Sequence, residues 1–173
     1  MTNLLNRIAA ISLVIMTLPA SAHVVFNEAQ AVAGEFHTAQ FRVTHGCEGT
    51  PTHTVTIEIP DGVSRVSPRH LTGWEVKVQM RPLVKPVILH GFEVTETVGS
   101  VTWTGGSFPN HTYEQFELRM MMPDESGKRL DFKVKQICER GEIYWQEIAK
   151  PGKNPYDLEF PAPFITLIGG PRP

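Results

Sequence analysis

The sequence predicts an all-β chain, an antiparallel β-sandwich forming a single domain behind a removable leader. Three observations carry this. Short runs of alternating apolar and polar residues recur along the chain, glycine and proline punctuate them, and no segment keeps a 3.6-residue apolar period over about ten positions.

The leader is read first because it must leave the fold argument. Arg7 supplies a basic start, residues 8–18 form an apolar run, and Ala20-Ser21-Ala22 is the small-x-small pattern that a signal peptidase reads. The run is shorter than the roughly 20 residues that cross a bilayer, so a cleaved signal is expected rather than a retained anchor. Export across a bacterial inner membrane and cleavage after Ala22 would make His23 the first residue. The 151 residues from His23 to Pro173 suffice for one domain, 23–173, with a real hydrophobic core. No later run is long and apolar enough to span, so the periplasmic product is expected to be soluble.

Expected strands cover residues 36–43, 53–59, 74–80, 92–97, 100–104, 113–121, 129–136, 143–147 and 164–168. In the second, Val55, Ile57 and Ile59 share one face, and Pro60-Asp61-Gly62 ends it with a strong turn signal. In the third, Trp74, Val76, Val78 and Met80 share a face. Gly105-Gly106, residues 124–127 and Arg140-Gly141 separate later strands. Many short strands at regular spacing suggest a sandwich, and immunoglobulin-like topology is the arrangement expected.

Charge excludes little. The chain holds 16 basic and 18 acidic residues, a net charge of −2. There is no basic patch to bind nucleic acid and no acidic tail. Cys47 and Cys138 are its only two cysteines. An oxidising compartment favours a disulfide between them; a pair of thiolate metal ligands is the alternative, weakened by the absence of CxxC spacing.

His23 is the first candidate for chemistry. After cleavage its α-amine and imidazole Nδ1 can close a six-membered chelate ring on one metal ion. The amine has an ordinary pKa near 8 and the imidazole one near 6.5, so a strongly binding metal deprotonates both near neutral pH. Two coplanar nitrogens suit Cu(II), which tops the affinity order of the divalent metals and prefers tetragonal N/O geometry. The bland alternative is a histidine there by chance.

Glu48 is the second candidate. It stands in the run Val43-Thr-His-Gly-Cys-Glu-Gly-Thr-Pro-Thr-His53, where Gly46 and Gly49 allow an irregular corner. It reads either as an oxygen ligand completing a copper plane or as a solvated loop residue. Trp145, in the segment that Cys138 opens, reads either as an indole shielding the metal or as ordinary core.

These residues together resemble the YcnI-like family of exported copper-binding proteins. The resemblance rests on His23-Val24, Ala33-Gly34, the run Arg42-Val43-x-His45-Gly46-Cys47-x-Gly49-x-Pro51-Thr52, then Ile59-Pro60-x-Gly62-Val63 and Gly73-Trp74. It continues through Thr102-Trp103, Gly105-Gly106, Tyr113-x-x-Phe116, Gln136-x-Cys138 and Trp145. It implies an immunoglobulin-like sandwich holding one copper ion in a single-histidine brace: the amine and side chain of His23, a carboxylate matched best by Glu48, and Trp145 close by. The implied role is periplasmic copper uptake, delivery or homeostasis, with a membrane copper transporter or another copper chaperone as partner.

Two departures stand out. Phe26-Asn27-Glu28 replaces an expected threonine or leucine followed by proline, which makes Glu28 a rival third ligand. An extended strand would carry it about 16 Å from His23 at roughly 3.3 Å per residue. Some relatives carry a membrane-anchored C-terminus, which is not expected here.

Weaker candidates remain. His45 reads as a corner histidine bonding to backbone before it reads as a ligand. His37, His53, His70, His90 and His111 lack HxH or HxxxH spacing. Met120-Met121-Met122 invites a Cu(I) thioether reading, but alternate residues of a strand face opposite ways, so core or surface packing is favoured. The competing functions are a copper carrier, a copper oxidase of the two-histidine kind and an interaction module without metal.

Overall fold

The structure, a computed structural model, describes residues 23–89 and 91–170. The expected signal peptide, residues 1–22, and His90 lie outside the described residues. Twelve strands follow one another among the described residues: β1 (Val25–Phe26), β2 (Gln30–Val32), β3 (Phe36–Val43), β4 (Thr52–Glu58), β5 (Ser64–Pro68), β6 (Glu75–Leu89), β7 (Phe92–Phe108), β8 (Glu114–Met121), β9 (Arg129–Asp131), β10 (Val134–Cys138), β11 (Glu142–Trp145) and β12 (Phe164–Ile168). The expected all-β sandwich is present. One sheet has the order β1-β3-β8-β5 and the other β11-β10-β4-β7-β6, with a smaller sheet β2-β12-β9 beside them. Pairing is antiparallel throughout except for β2 with β12.

The core lies between the inward faces. Phe41, Phe116 and Leu118 come from one sheet, and Val55, Ile57, Val101 and Trp103 from the other; all are fully buried. Their alternation along each strand is what buries them, since only every second residue faces inward. Phe26, Phe41 and Phe132 pack ring against ring, with centroids 4.5, 5.4 and 5.6 Å apart. That cluster clamps β1 to β3, and with it the direction in which His23 leaves the sandwich. Asn27, the departure noted in the sequence, joins the clamp: its amide donates to Gln40 and its carbonyl accepts from Arg42.

Some strands differ from expectation for identifiable reasons. Residues 92–97 and 100–104 belong to one strand, β7, with a register shift at Gly99 rather than a break. Gly105 and Gly106 do not end it, because the missing Cβ at Gly106 makes room for the Trp74 ring. Residues 129–136 are two strands. Phe132 donates its amide to Pro163 of the small sheet, while the Lys133 carbonyl accepts from Glu58, so the chain changes sheets between β9 and β10. Trp74, just before β6, is buried and Val76 is half-buried, whereas Val78 and Met80 are exposed. The hairpin of β6 and β7 outruns the sheet that covers its base.

Candidate metal centre

The corner after β3 is built around a disulfide. Cys47 and Cys138 are joined, with Cα atoms 5.7 Å apart, so the thiolate-ligand alternative is set aside. Cys138 ends β10 in one sheet and Cys47 follows β3 in the other, which makes the bridge a tie between sheets. Gly46 permits the turn, because a Cβ there would fall 1.7 Å from the carbonyl oxygen of Thr50. Thr50 closes it through its amide and hydroxyl, both donating to the Cys47 carbonyl at 2.8 Å.

Gln136 sits at the centre of this corner and is fully buried. Its Nε2 donates to the His45 carbonyl at 2.6 Å and to the Thr52 hydroxyl at 2.7 Å. Its Oε1 accepts from the Trp145 indole at 3.2 Å. Both donor hydrogens and the carbonyl are therefore matched, as a buried amide requires. The sequence showed this glutamine only as part of a motif; its role depends on three partners distant along the chain.

The indole that Gln136 holds is where the histidines meet. His23 approaches Trp145 edge-on, with ring centroids 6.1 Å apart and planes at 84°. His45 does the same at 6.1 Å and 74°. Trp145 is almost wholly buried and also packs on Phe160 at 5.8 Å, so it is core and histidine neighbour at once. Beside His23 lies a small hollow of about 60 Å³, walled in part by Pro155, Pro161 and Pro163. β1 pairs with β3 at Val25↔Arg42 and Phe26↔Phe41, so His23 and Thr44 lie just beyond the same end of that strand pair. The Thr44 hydroxyl is buried and has no hydrogen-bond partner among the described residues. A buried hydroxyl left so costs roughly 1 to 3 kcal/mol, a cost that a polar ligand at this point would remove.

The other sequence candidates lie elsewhere. Glu48 is exposed with φ of 47°, and its carboxylate lies over Gly141, at the opposite end of β11 from Trp145. The structure thus sets Glu48 on the same corner as His45 but does not turn it toward His23. Glu28 lies close enough to His37 to raise its proton affinity, although burial dominates and lowers the His37 pKa overall. Met120 and Met122 are buried in the core, in keeping with packing rather than metal binding. His45 Nδ1 contacts the Gly46 carbonyl oxygen, the backbone bond expected of a corner histidine. Among the described residues, no three His, Cys, Asp or Glu side chains converge in a metal-binding group. A separate hollow of about 630 Å³ lies between β5 and the β6–β7 hairpin, where Val63, Val66, Met80 and Leu83 share the lining with Asp61, Arg65, Arg81 and Glu96.

The chemistry available is therefore nitrogen-rich. In the unprocessed chain the backbone nitrogen of His23 is a peptide amide; cleavage after Ala22 would make it a free amine. With the His23 imidazole, that amine would give a bidentate pair of the kind copper favours.

Comparison with known proteins gives the chain its relatives. A family model described as a domain of unknown function, DUF1775, matches residues 23–167. The copper-binding protein CutI of Bacillus subtilis (strain 168) is 28% identical over 117 residues, 66% of this chain. The aligned part spans 50% of that relative's length. A crystal structure of an uncharacterized protein from Nocardia farcinica, described as having an immunoglobulin-like fold, superposes with a TM-score of 0.62. It is 23% identical, and the match covers 84% of this chain and 98% of that one. The sandwich is therefore immunoglobulin-like, and the chain belongs to the DUF1775 family, the YcnI-like group that its motifs resemble.

Proposed function

We propose that the protein binds one copper ion at His23 in the periplasm, once residues 1–22 have been removed, and acts as a copper carrier or reservoir rather than an enzyme. The observation that carries this reading is the His23 imidazole set against the buried Trp145 indole. The start of the family match at His23 and the copper-binding relative support it. Cu(II) would take the α-amine and Nδ1 of His23. Glu48, on the same disulfide corner as His45, is the proposed carboxylate. Trp145 would shield one side of the ion from water. A membrane copper transporter or a second copper chaperone would receive or supply the cargo.

Removing the amine tests the reading directly. Protein beginning at His23 should take up about one equivalent of Cu(II) with the spin-resonance spectrum of a tetragonal nitrogen-rich site. Protein carrying one additional residue before His23 has a peptide nitrogen there and should lose that binding. Equal binding by the two forms would show that the ion is not held at the N-terminus.

A further inference from the structure

We infer that His45 is a further copper ligand, its Nε2 joining the amine and imidazole of His23 on one ion at the edge of Trp145. The inference rests on the copper reading above and adds to it a residue from the disulfide corner.

Position comes first. His23 and His45 both meet the same indole edge-on, each with its ring centroid 6.1 Å away. β1 pairs with β3 at Val25↔Arg42 and Phe26↔Phe41, so His23, two residues before Val25, and His45, three after Arg42, leave the same end of that strand pair. The two imidazoles thus arise from adjoining points of the backbone and share one aromatic neighbour. The buried hydroxyl of Thr44, the residue before His45, has no hydrogen-bond partner among the described residues.

Rigidity is the second argument. One buried amide, that of Gln136, holds both the His45 carbonyl and the Trp145 indole nitrogen. The base of the His45 side chain and the indole beside it are therefore set relative to each other before any ion arrives. A ligand held in this way loses little freedom on binding.

Protonation is the third. His45 Nδ1 lies against the Gly46 carbonyl oxygen. A carbonyl only accepts, so the tautomer that matches this contact has its proton on Nδ1 and would coordinate through Nε2. Histidine ligands in metal sites are oriented by this arrangement, with the second ring nitrogen donating to a backbone carbonyl. The contrast with Glu48 is instructive. Along the corner, Glu48 lies at Gly141 and His45 at Trp145, so the corner presents its imidazole to the indole and its carboxylate to the hairpin turn. A third nitrogen would strengthen retention of the ion; it adds no substrate-binding face and so does not convert a carrier into an oxidase.

The test counts imidazoles. Protein beginning at His23, loaded with one equivalent of Cu(II), is examined by pulsed spin resonance, which detects the remote nitrogen of each coordinated imidazole. Two imidazoles are expected in the wild type. One is expected in His45→Ala and in His45→Gln, with copper affinity reduced roughly tenfold or more. His70→Ala, at an exposed position after β5, should keep two. A single imidazole in the wild type overturns the inference without recourse to any variant, and leaves the His23 site standing. Unchanged spectra and affinity in folded His45 variants overturn it equally. A wild type that binds no copper in a His23-dependent manner removes the functional reading itself, and His45 as ligand with it.

Discussion

At His37 the fold and the solvent compete for a proton. The ring stands on β3 opposite Met120, and its Nε2 is buried without a hydrogen-bond partner among the described residues. Burial lowers its pKa from the ordinary 6.5, and the nearby Glu28 carboxylate offsets only part of that. The unfolded chain thus takes up this proton at higher pH than the folded one. Well above pH 6.5 the group has no effect on stability; as pH falls from 6.5 through the lowered folded value, stability is lost, and the loss then levels off. His37→Thr, which suits a strand, should flatten the fall in melting temperature of the metal-free protein between about pH 7 and about pH 5. An unchanged slope would mean that another group governs the pH response. Single residues were the scale at which the sequence said most about chemistry and least about geometry. His23 stood out because its position relative to the cleavage pattern is a local property. The directions taken by His45 and Glu48 did not, because they depend on a positive φ at Glu48 and on the Thr50 carbonyl closing over Gly46, neither of which leaves a periodic signal.

Strands with regular alternation were legible almost to the residue. Phe36–Val43 and Phe164–Ile168 have the expected ends because each alternates between a buried and a wetter face. β1, β2 and β5 went unread, since two to five residues contain too few alternations to stand out. The split between β9 and β10 was hidden because the sequence stays strand-like while its hydrogen-bonding partner changes. Gly105-Gly106 misled for a different reason. As a local signal it means a turn, but here a tertiary contact takes precedence: a Cβ at Gly106 would come within 2.2 Å of the Trp74 ring. Trp74 leads into β6 and packs edge-on against Phe116 at 5.3 Å, so its ring ties the base of the long hairpin to β8 across the core. Trp74→Ala should cost about 3 to 5 kcal/mol in denaturant unfolding, as expected for emptying a buried aromatic site. The copper stoichiometry of the folded protein should not change, because Trp74 contributes no ligand. A loss below about 1 kcal/mol would show that the hairpin base collapses around the gap at little cost.

Across the whole molecule, one covalent link joins the strand system that carries His23 to the one that carries Trp145. β1 and β3 belong to one sheet and β10 and β11 to the other, and the Cys47–Cys138 bridge crosses between them. His45 lies two residues before Cys47 and Gln136 two residues before Cys138, so the bridge and the Gln136 hydrogen bonds are adjacent rungs of one ladder. The sequence suggested the pairing from compartment and count, but not that it would cross from one sheet to the other. Closing a 91-residue separation should stabilise the fold by about 4 to 5 kcal/mol in the chain-entropy account. The Cys47→Ser, Cys138→Ser double variant should therefore unfold at markedly lower denaturant concentration. Its effect on copper decides between two ways of holding the corner. If the covalent rung is needed, the folded variant will bind copper more weakly and lose the imidazole signal of His45, while keeping that of His23. If the buried amide suffices, stability will fall and the copper spectrum will not move. The first outcome is expected, because two hydrogen bonds from Gln136 restrain only the His45 carbonyl and Thr52. Gly46, Cys47 and Glu48 would then be held by little beyond the turn that Thr50 closes.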